Sequence, residues 1–340
     1  MKIAIIAPPW APVPPNLYGG IELVVDRQAR GFKDLGHDVT LFTTGDSTCP
    51  VDKRFILPTS EGRRIGSSVP EARHVMFCYE NVSDYDIIHD HSVLGPVLAA
   101  YCNLTIPVVT TVHGPFNDEL RDIYSRIDSR VSIVAISHSQ AKSAPEIKVS
   151  KVIHHGLNAS EFPFKKDKGD FLLFLGRMAK EKGAHIAIEV AKTLGEKLII
   201  AGKKREVWEE KYFHDYVAPH LNEQVTYLGE VQHEEKLQLL ANAKALLFPI
   251  TWPEPFGMVM LEAFACGTPV IGFAHGAAPE VINDGQTGFV VNDVDEMIGA
   301  VKKIDQISPA DCRFAVETYF SQDRMVKEHI ELFEELIKNI

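Results

Sequence analysis

Short apolar runs alternate with amphipathic stretches along most of the chain. In the first half, the runs that predict buried strands lie at 2–7, 38–43, 86–89, 107–112, 131–137 and 151–154. The clearest amphipathic helix is predicted from Ile21 to Leu35, and Gly36 follows it at a position where helices commonly end. Apolar strands that alternate with helices are typical of a parallel sheet covered on both faces.

This alternation stops once, at residues 155–170, and then begins again. The segment there, HGLNASEFPFKKDKGD, has two glycines, a proline and a run of charges, so it predicts a linker. The apolar runs that follow it lie at 171–176, 197–202, 225–229, 245–249, 269–273 and 288–291. We therefore predict two α/β domains, 1–157 and 158–320, followed by a long amphipathic helix within 321–340.

The composition indicates which classes of binding partner and which cellular location are expected. The 340 residues carry a formal net charge of -11, which argues against a nucleic acid or an anionic membrane as the main partner. The five cysteines form no CxxC pair and indicate reduced thiols in a cytosolic protein. No apolar run reaches membrane-span length, and MKIAIIAPPW predicts a first strand rather than a signal peptide. We expect a soluble cytoplasmic protein, with weak peripheral membrane association left open.

Ligands of open α/β sheets bind at the carboxyl ends of the strands, so the loops there are the first place to search. One such loop, FLGRMAKEKG, places Gly176 and Arg177 after a strand and Lys182 at the start of a helix, an arrangement that suits a phosphate. Another, YGGIE, places Gly19 and Gly20 where backbone amides can approach an anion. A solvated loop and a flexible turn are the respective alternatives.

The stretch TWPEPFGMVMLEAFACGTPVIG has two glutamates eight residues apart, Glu254 before a predicted helix and Glu262 within it. Between them lie the free amides of the helix start, from Phe256 through Gly257 and Met258 to Val259. An acid, a row of amides and a second acid match the sugar hydroxyls, diphosphate and ribose hydroxyls of a nucleotide sugar. The alternative is helix capping by Glu254 and an unrelated acid at 262, but an acid between Leu261 and Ala263 needs a partner.

Three histidines follow or end predicted strands: His89, His91 and His113. A metal site is one interpretation, but no carboxylate shows ligand-type spacing, so hydrogen-bonded residues lining a cleft are favoured and no metal is expected. His113 is a candidate for contact with a substrate hydroxyl. Two D-x-D triplets, at 84–86 and 293–295, lie at predicted element boundaries and are interpreted as structural.

Taken together, these motifs resemble those of the GT-B glycosyltransferases of family 4. EPFGMVMLE is similar to the family's E-x7-E motif, and EAFACGTPVIG to the segment that usually follows it. FLGRMAKEKG resembles the G-R-x-x-x-x-K-G loop, YGGIE and LGHDVTLFT the glycine loop and second strand, and VIHHGLN the end of the first domain. Two departures are HHGLN, where Asn-Gly-Val-Asp is more usual, and the TW pair before PEPFG, where many members have a serine.

The resemblance implies two Rossmann-like domains that face each other across a cleft, with a C-terminal helix crossing back to the first domain. It implies that Arg177 and Lys182 bind the donor diphosphate, that Glu262 takes the ribose hydroxyls, and that Glu254 takes hydroxyls of the transferred sugar. It also assigns donor contacts to Gly19, Gly20, Gly176, Phe256, Gly257, Met258 and Val259, and places His113 near the sugar.

The activity that this resemblance implies is transfer of a hexose from a nucleoside diphosphate sugar to an acceptor hydroxyl, with retention of configuration and no metal cofactor. A UDP-sugar is favoured over GDP-mannose on family frequency. An epimerase or hydrolase of the same fold, and a non-catalytic nucleotide-sugar-binding protein, are the alternatives. The acceptor pocket is expected to involve loops 8–20, 44–70 and 115–130, because loops vary most; neither the acceptor nor the oligomeric state follows from the sequence.

Overall fold

The computed structural model describes residues 1–16, 19–102 and 104–339. It divides into two compact units, one formed by Met1–Gly156 with the segment from Gln322 onward, the other by Leu157–Ser321. The predicted boundary between residues 157 and 158 lies one residue from this division. No helix in the described ranges is both long and apolar enough to cross a bilayer.

The first unit is built on a seven-stranded parallel sheet with the strand order β3-β2-β1-β4-β5-β6-β7. Its strands are β1 (Lys2–Ile6), β2 (Asp38–Phe42), β3 (Asp52–Arg54), β4 (Ile87–Asp90), β5 (Val108–Val112), β6 (Ser132–Ala135) and β7 (Val149–Val152). Its helices are α1 (Gly20–Asp34), α2 (Ser68–Glu80), α3 (Leu94–Tyr101), α4 (Asp118–Ile127), α5 (His138–Ser143) and the last helix, α13 (Gln322–Lys338). The central strands are buried along nearly their whole length, as expected when helices cover both faces of a sheet.

The last helix packs on the first helix of the chain. Gly31 of α1 lies so close to α13 that a Cβ there would come within 2.4 Å of a Val326 methyl group. The rings of Phe32 and Phe333 lie 5.5 Å apart between centroids, and Gln28 contacts His329 at 3.4 Å. The chain end therefore belongs to the first unit, as the predicted crossing-back helix requires.

The second unit has a six-stranded parallel sheet with the order β10-β9-β8-β11-β12-β13. Its strands are β8 (Phe171–Leu175), β9 (Lys197–Ala201), β10 (Val225–Tyr227), β11 (Ala245–Phe248), β12 (Val270–Phe273) and β13 (Gly288–Val291). Its helices are α6 (Ala184–Leu194), α7 (Val207–Tyr216), α8 (His233–Asn242), α9 (Met258–Ala265), α10 (Ala278–Val281), α11 (Val294–Val301) and α12 (Pro309–Tyr319).

Each sheet has one point where the direction of strand addition reverses. In the first unit this switch point lies between β1 and β4, and in the second it lies between β8 and β11. Open parallel sheets bind ligands beyond the carboxyl ends of the strands at such a point. The loops that follow these four strands are therefore the places where the fold itself predicts a site.

Candidate functional site

Arg177 follows β8 at the switch point of the second sheet. Its guanidinium carbon lies 5.0 Å from the ring centroid of Trp208, and its Nη2 donates to Glu181 Oε1 at 3.1 Å. Its Nε lies 3.7 Å from Glu209 Oε1, which is buried and has no hydrogen-bond partner among the described residues. Because the guanidinium of Arg177 lies between an aromatic ring and two carboxylates, its orientation is restricted.

Glu209 owes its position to the start of α7. Its Oε2 accepts from the backbone amides of Arg205 at 2.6 Å and Glu206 at 3.1 Å, in the manner of a capping box. The carboxylate that faces Arg177 is thus fixed by helix capping, and the cap also helps to orient the guanidinium.

Lys182 ends a short 3₁₀ turn, Lys180–Lys182, immediately before α6. Gly183 follows with φ of +80°, and a Cβ there would lie 2.2 Å from the carbonyl oxygen of Pro249. This close approach brings the loop after β8 against the loop after β11, and Thr251 N donates to Glu181 O at 2.9 Å between the same two loops. Only glycine fits such a backbone approach with a positive φ.

Lys182 and Glu254 meet across this junction. The lysine ammonium donates to Glu254 Oε2 and lies 5.0 Å from the centroid of the Trp252 ring. Both partners are largely buried, with side-chain exposures of 16% and 15%. Two oppositely charged residues that lie 72 positions apart in the chain are therefore in direct contact at the switch point.

The backbone of Glu254 is held from a third loop. Its carbonyl accepts from Ala277 N at 2.9 Å, and its own amide donates to Trp252 O at 2.8 Å. Gly276, with φ of +57°, lies so close that a Cβ would come within 2.2 Å of Glu254 O. The glutamate is therefore placed by a network of backbone contacts.

The helix that follows, α9, begins at Gly257, its N-cap residue, which lies in the left-handed region with φ of 86°. In the described part of the chain, no side-chain hydrogen bond caps this helix start. Phe256 is buried just before it, whereas Met258 and Val259 are partly exposed in the first turn. The start of α9 therefore offers backbone amides and a partial positive charge close in sequence to Glu254.

Glu262 lies further along α9 and is buried, with 7% of its side chain exposed. Its Oε1 accepts from the ammonium of Lys236, on α8, at 2.7 Å. The sequence predicts that this acid needs a partner, and Lys236 supplies it. The lysine itself has no signal in the sequence, because its segment is an ordinary amphipathic helix.

In the first unit, Gly19 and Gly20 begin α1 after the loop that follows β1. A Cβ on Gly19 would lie 2.5 Å from a Pro15 carbon and 2.9 Å from Glu22 Oε2, whereas a Cβ on Gly20 would meet nothing within 4 Å. Steric crowding therefore requires glycine only at position 19. Tyr18 of the predicted YGGIE motif, and with it part of the predicted acceptor loop 8–20, lies outside the described residues.

The histidines of the first unit form a contiguous row. His91 Nδ1 and His113 Nε2 are 2.8 Å apart, His89 Nε2 lies 2.8 Å from Thr111 Oγ1, and His155 stacks on His113 with ring centroids 5.3 Å apart. Burial lowers the pKa of His113 to about 3 and the pKa of His91 far below its usual value, so both rings are neutral at neutral pH. The direct His91–His113 bond matches the favoured hydrogen-bonded interpretation.

The structure thus brings Lys182 and Glu254 into contact in the second unit, on loops that lead into α6 and α9. Arg177 lies on the same loop as Lys182, and Glu262 lies further along α9. Gly176 lies at the same strand end, where its amide bonds Ala201 O at 3.0 Å. Gly19, Gly20 and His113 belong to the first unit.

The sequence did not predict the contacts made by Lys236, Trp208, Glu209 and His155. Asp293 of the second D-x-D triplet caps α11 by accepting from Glu296 N at 2.8 Å, which confirms its structural interpretation.

Two family models together cover most of the chain. The model described as Glycosyltransferase Family 4 matches residues 18–161, and the model described as Glycosyl transferases group 1 matches residues 158–313. The two ranges meet at the linker, and the second contains all the charged residues of the cluster in the second unit.

Similar proteins and structures point the same way. A glycogen synthase of Mycobacterium tuberculosis is 29% identical over 251 residues, a match that covers 64% of this chain and 60% of that protein's length. Sucrose-phosphate synthase from Thermosynechococcus elongatus matches over 100% of both chains, with a TM-score of 0.83 and 20% identity. The Anabaena protein HepE in complex with UDP-glucose matches over 98% of this chain and 100% of that one, with a TM-score of 0.78 and 18% identity.

The structural matches support the fold, and the family models support the assignment to a family. Two parallel α/β sheets in tandem, with most of the motif residues in loops that follow strands, are the arrangement that the sequence predicts. On this combined evidence the chain belongs to the GT-B glycosyltransferases of family 4.

Proposed function

We propose that this protein transfers a hexose from a nucleoside diphosphate sugar to an acceptor hydroxyl, with retention of configuration and without a metal ion. The observation that carries the proposal is the charged cluster at the switch point of the second sheet. Arg177 and Lys182 follow β8 there, Glu254 follows β11, and the uncapped start of α9 separates Glu254 from Glu262. The positive groups fit the anionic diphosphate of a nucleotide sugar, and the two carboxylates fit the neutral hydroxyl groups on either side of it.

Each part of the cluster suits one part of the donor. Arg177, Lys182 and the first amides of α9 are positive and suit the diphosphate, with Gly176 at the same strand end. Glu254 suits hydroxyls of the transferred sugar, and Glu262 suits the two ribose hydroxyls, since carboxylates accept hydrogen bonds from vicinal hydroxyls. The contacts of Gly19, Gly20 and His113 with the diphosphate and sugar come from family resemblance.

The ion pairs of the cluster give a physical account of how it receives the donor. Lys182 pairs with Glu254 and Glu262 with Lys236, so neither acid is an isolated charge. A diphosphate offers Lys182 a stronger anion than a carboxylate, and the sugar hydroxyls then replace the lysine as donors to Glu254. Exchange of one partner for another avoids leaving a buried charge unpaired, which would cost several kcal/mol.

The reaction proposed is a single group transfer. The bond between the anomeric carbon and the β-phosphate oxygen breaks, and negative charge develops on that oxygen, where Arg177, Lys182 and the start of α9 stabilise it. The acceptor oxygen forms the new bond on the same face, and its proton passes to the departing phosphate. No separate general base is then needed, and the positive groups of the chain take the part that a metal ion would otherwise have.

For the donor we propose a UDP-sugar, with GDP-mannose as the second candidate. The support is family frequency together with HepE, which is described in complex with UDP-glucose and matches nearly the whole chain. We also propose a cytoplasmic location, since all five cysteines are free thiols.

The experiment is saturation-transfer NMR with UDP-glucose, UDP-galactose, UDP-N-acetylglucosamine and GDP-mannose, followed by hours of observation of the anomeric signals. We expect selective binding of one donor, slow release of an α-configured sugar, and faster loss of donor when an acceptor panel is added. The same rates after addition of EDTA are expected if no metal is needed.

Two rival functions give different results in this experiment. An epimerase or hydrolase consumes the donor at full turnover with no acceptor, and a binding protein shows saturation transfer with no loss of donor under any condition. Absence of binding for every nucleotide sugar would contradict the assignment of the cluster from Arg177 to Glu262.

A further inference from the structure

We propose that His91 is a positioning residue that holds the imidazole of His113 in the tautomer with its proton on Nδ1. The catalytic consequence rests on the proposed function, because His113 is there expected to contact the transferred sugar. The tautomer itself is a property of the first unit alone and is testable without any donor.

The fold places the two rings side by side. His91 directly follows β4 and His113 directly follows β5, and these strands are parallel neighbours with Asp90 opposite Thr110. His91 Nδ1 and His113 Nε2 are 2.8 Å apart, which is hydrogen-bond distance. Since both rings are neutral, one proton lies between these two nitrogens and belongs to one of them.

The surroundings of His91 decide which ring donates. Its other nitrogen, Nε2, is buried and has no hydrogen-bond partner in the described part of the chain. If His113 were the donor, His91 would have to carry its own proton on Nε2, as an N–H group buried without an acceptor. Buried N–H groups without a partner are rarer than under-satisfied acceptors, so the favoured arrangement has His91 donating from Nδ1 and Nε2 unprotonated.

This hydrogen bond then sets the tautomer of His113 as well as the position of its ring. Its Nε2 accepts from His91, so its single proton is on Nδ1, and the ring stacks on His155 with 21° between the planes. His113 is partly exposed, and Nδ1–H is the part of the ring left to meet a ligand. A hydroxyl oxygen of the sugar can accept from this group.

This assignment also removes one possible role from His113. A ring whose Nε2 is occupied and whose Nδ1 carries a proton has no free nitrogen with which to accept the proton of an acceptor hydroxyl. His113 is therefore a hydrogen-bond donor to the sugar and not the general base of the reaction. This agrees with a mechanism in which the departing phosphate takes that proton.

The direct test is long-range proton–nitrogen NMR of protein labelled with ¹⁵N-histidine and free of ligand. His113→Gln identifies the His113 signals by their loss, and the shifts of the two ring nitrogens then report the tautomer. We expect Nδ1 of His113 to be protonated and Nε2 to be unprotonated. A protonated Nε2 would overturn the inference, whatever the activity of the enzyme.

Two variants of His91 test its part in holding that tautomer. His91→Asn retains an N–H donor close to the place of Nδ1, whereas His91→Leu fills the space without a donor. We expect the asparagine variant to keep the Nδ1–H tautomer and most of its turnover. The leucine variant should show mixed tautomers and a kcat lowered about 10-fold, the value of one hydrogen bond, with UDP affinity unchanged.

The outcomes separate this inference from the proposed function. An Nδ1–H tautomer that is lost in His91→Leu, in a protein that transfers no sugar from any donor, supports the inference and contradicts the function. An unchanged tautomer and unchanged kcat in His91→Leu, with sugar transfer intact, would contradict the positioning role alone. If the leucine variant does not fold, the wild-type and asparagine spectra still decide the tautomer.

Discussion

The candidate site residues of the two units differ in charge: those of the second unit form ion pairs, and the histidines of the first unit are neutral. In the second unit, Arg177, Lys182, Glu254 and Glu262 each form an ion pair with an oppositely charged side chain. In the first unit, the corresponding region is a row of imidazoles that carry no charge. Paired charges suit exchange with a charged ligand, whereas a neutral row suits the fixed direction of one hydrogen-bond donor.

The difference also predicts what disturbs each unit. Ion pairs respond to removal of a partner, and this response is large where the partner is buried. Neutral imidazoles respond to protons, because the unfolded chain can bind a proton that the folded row cannot. The first unit is therefore expected to be sensitive to acid, and the second to be sensitive to single charge changes.

The largest expected effect is loss of stability of the first unit in mild acid. Burial lowers the pKa of six of its histidines: His74, His89, His91, His113, His155 and His329. Below pH 6.5 the unfolded chain protonates these residues and the folded unit does not, so each costs about 1.4 kcal/mol per pH unit. We expect the first unit to lose several kcal/mol between pH 7.5 and 5.5.

Two acids in the same unit act in the other direction. Burial raises the pKa of Glu22 to about 7 and of Asp90 to about 6, so the folded unit binds these protons first and gains stability as the pH falls. They offset part of the loss but are fewer than the histidines. Hydrogen exchange measured by mass spectrometry, corrected for intrinsic rates, should show protection lost first in peptides from residues 1–156. The His329→Gln variant should lessen this pH dependence, and earlier loss in the second unit would contradict the comparison.

The next effect in size is the loss of turnover in Lys182→Ala. This change removes the cation next to the proposed diphosphate and leaves Glu254 without its partner. We expect kcat/KM to fall about 10²–10³-fold, the range found for loss of one group that stabilises developing negative charge. Lys192→Ala, on the exposed side of α6, is the matched control. Near-normal turnover with an intact fold would remove Lys182 from the site.

A smaller effect is expected for Glu262→Gln. The glutamine keeps the shape of the side chain but weakens hydrogen bonds from the ribose hydroxyls and from Lys236. Hydrogen bonds to a charged group contribute about 1.5–3 kcal/mol, so UDP binding measured by calorimetry should weaken about 10- to 100-fold. Glu234→Gln, on exposed α8 surface, should bind UDP normally. Equal affinity for wild type and Glu262→Gln would mean that Glu262 serves only to pair with Lys236.

The smallest effect concerns Trp252, which belongs to the TW pair that departs from the family pattern. Its ring faces the ammonium of Lys182 at 5.0 Å, a contact that contributes about 0.5–2 kcal/mol. We expect Trp252→Ser to weaken donor binding about 3- to 30-fold, while Trp252→Phe, which retains an aromatic face, should lose less. If the serine variant binds as well as wild type, the ring has no part in orienting Lys182.

The two regions also differ in how far the sequence predicts them. Arg177, Lys182, Glu254 and Glu262 lie in two short stretches, because a loop that follows one strand delivers neighbouring residues to one place. Each predicted strand also overlaps an observed one, because a parallel strand buried on both faces has a continuous run of apolar residues. Within the described residues, one observed strand has no predicted counterpart: β3, the three polar residues Asp52–Arg54 at a sheet edge, which leave no apolar signal.

Contacts that depend on the packing of separate elements were not predictable. Lys236 reaches Glu262 from α8, and Glu209 and Trp208 reach Arg177 from α7, so no local spacing relates these residues. The sequence singles out His89, His91 and His113 at strand ends but not His155 or His329, which join the row from the linker and the last helix. The positions of these side chains depend on how separate helices and strands pack in the tertiary fold. A pattern of apolar and polar residues does not specify that packing.

The most direct test of the central claim uses the three tryptophans of the chain, Trp10, Trp208 and Trp252. Indole proton–nitrogen signals, assigned with Trp→Phe variants, would be followed during titration with UDP-glucose, UDP and GDP-mannose. Because Trp208 faces Arg177 and Trp252 faces Lys182, binding at the proposed site should shift both signals together, and Lys182→Ala should require more ligand. Binding that moves neither signal, or no binding of any of these nucleotides, would contradict the account.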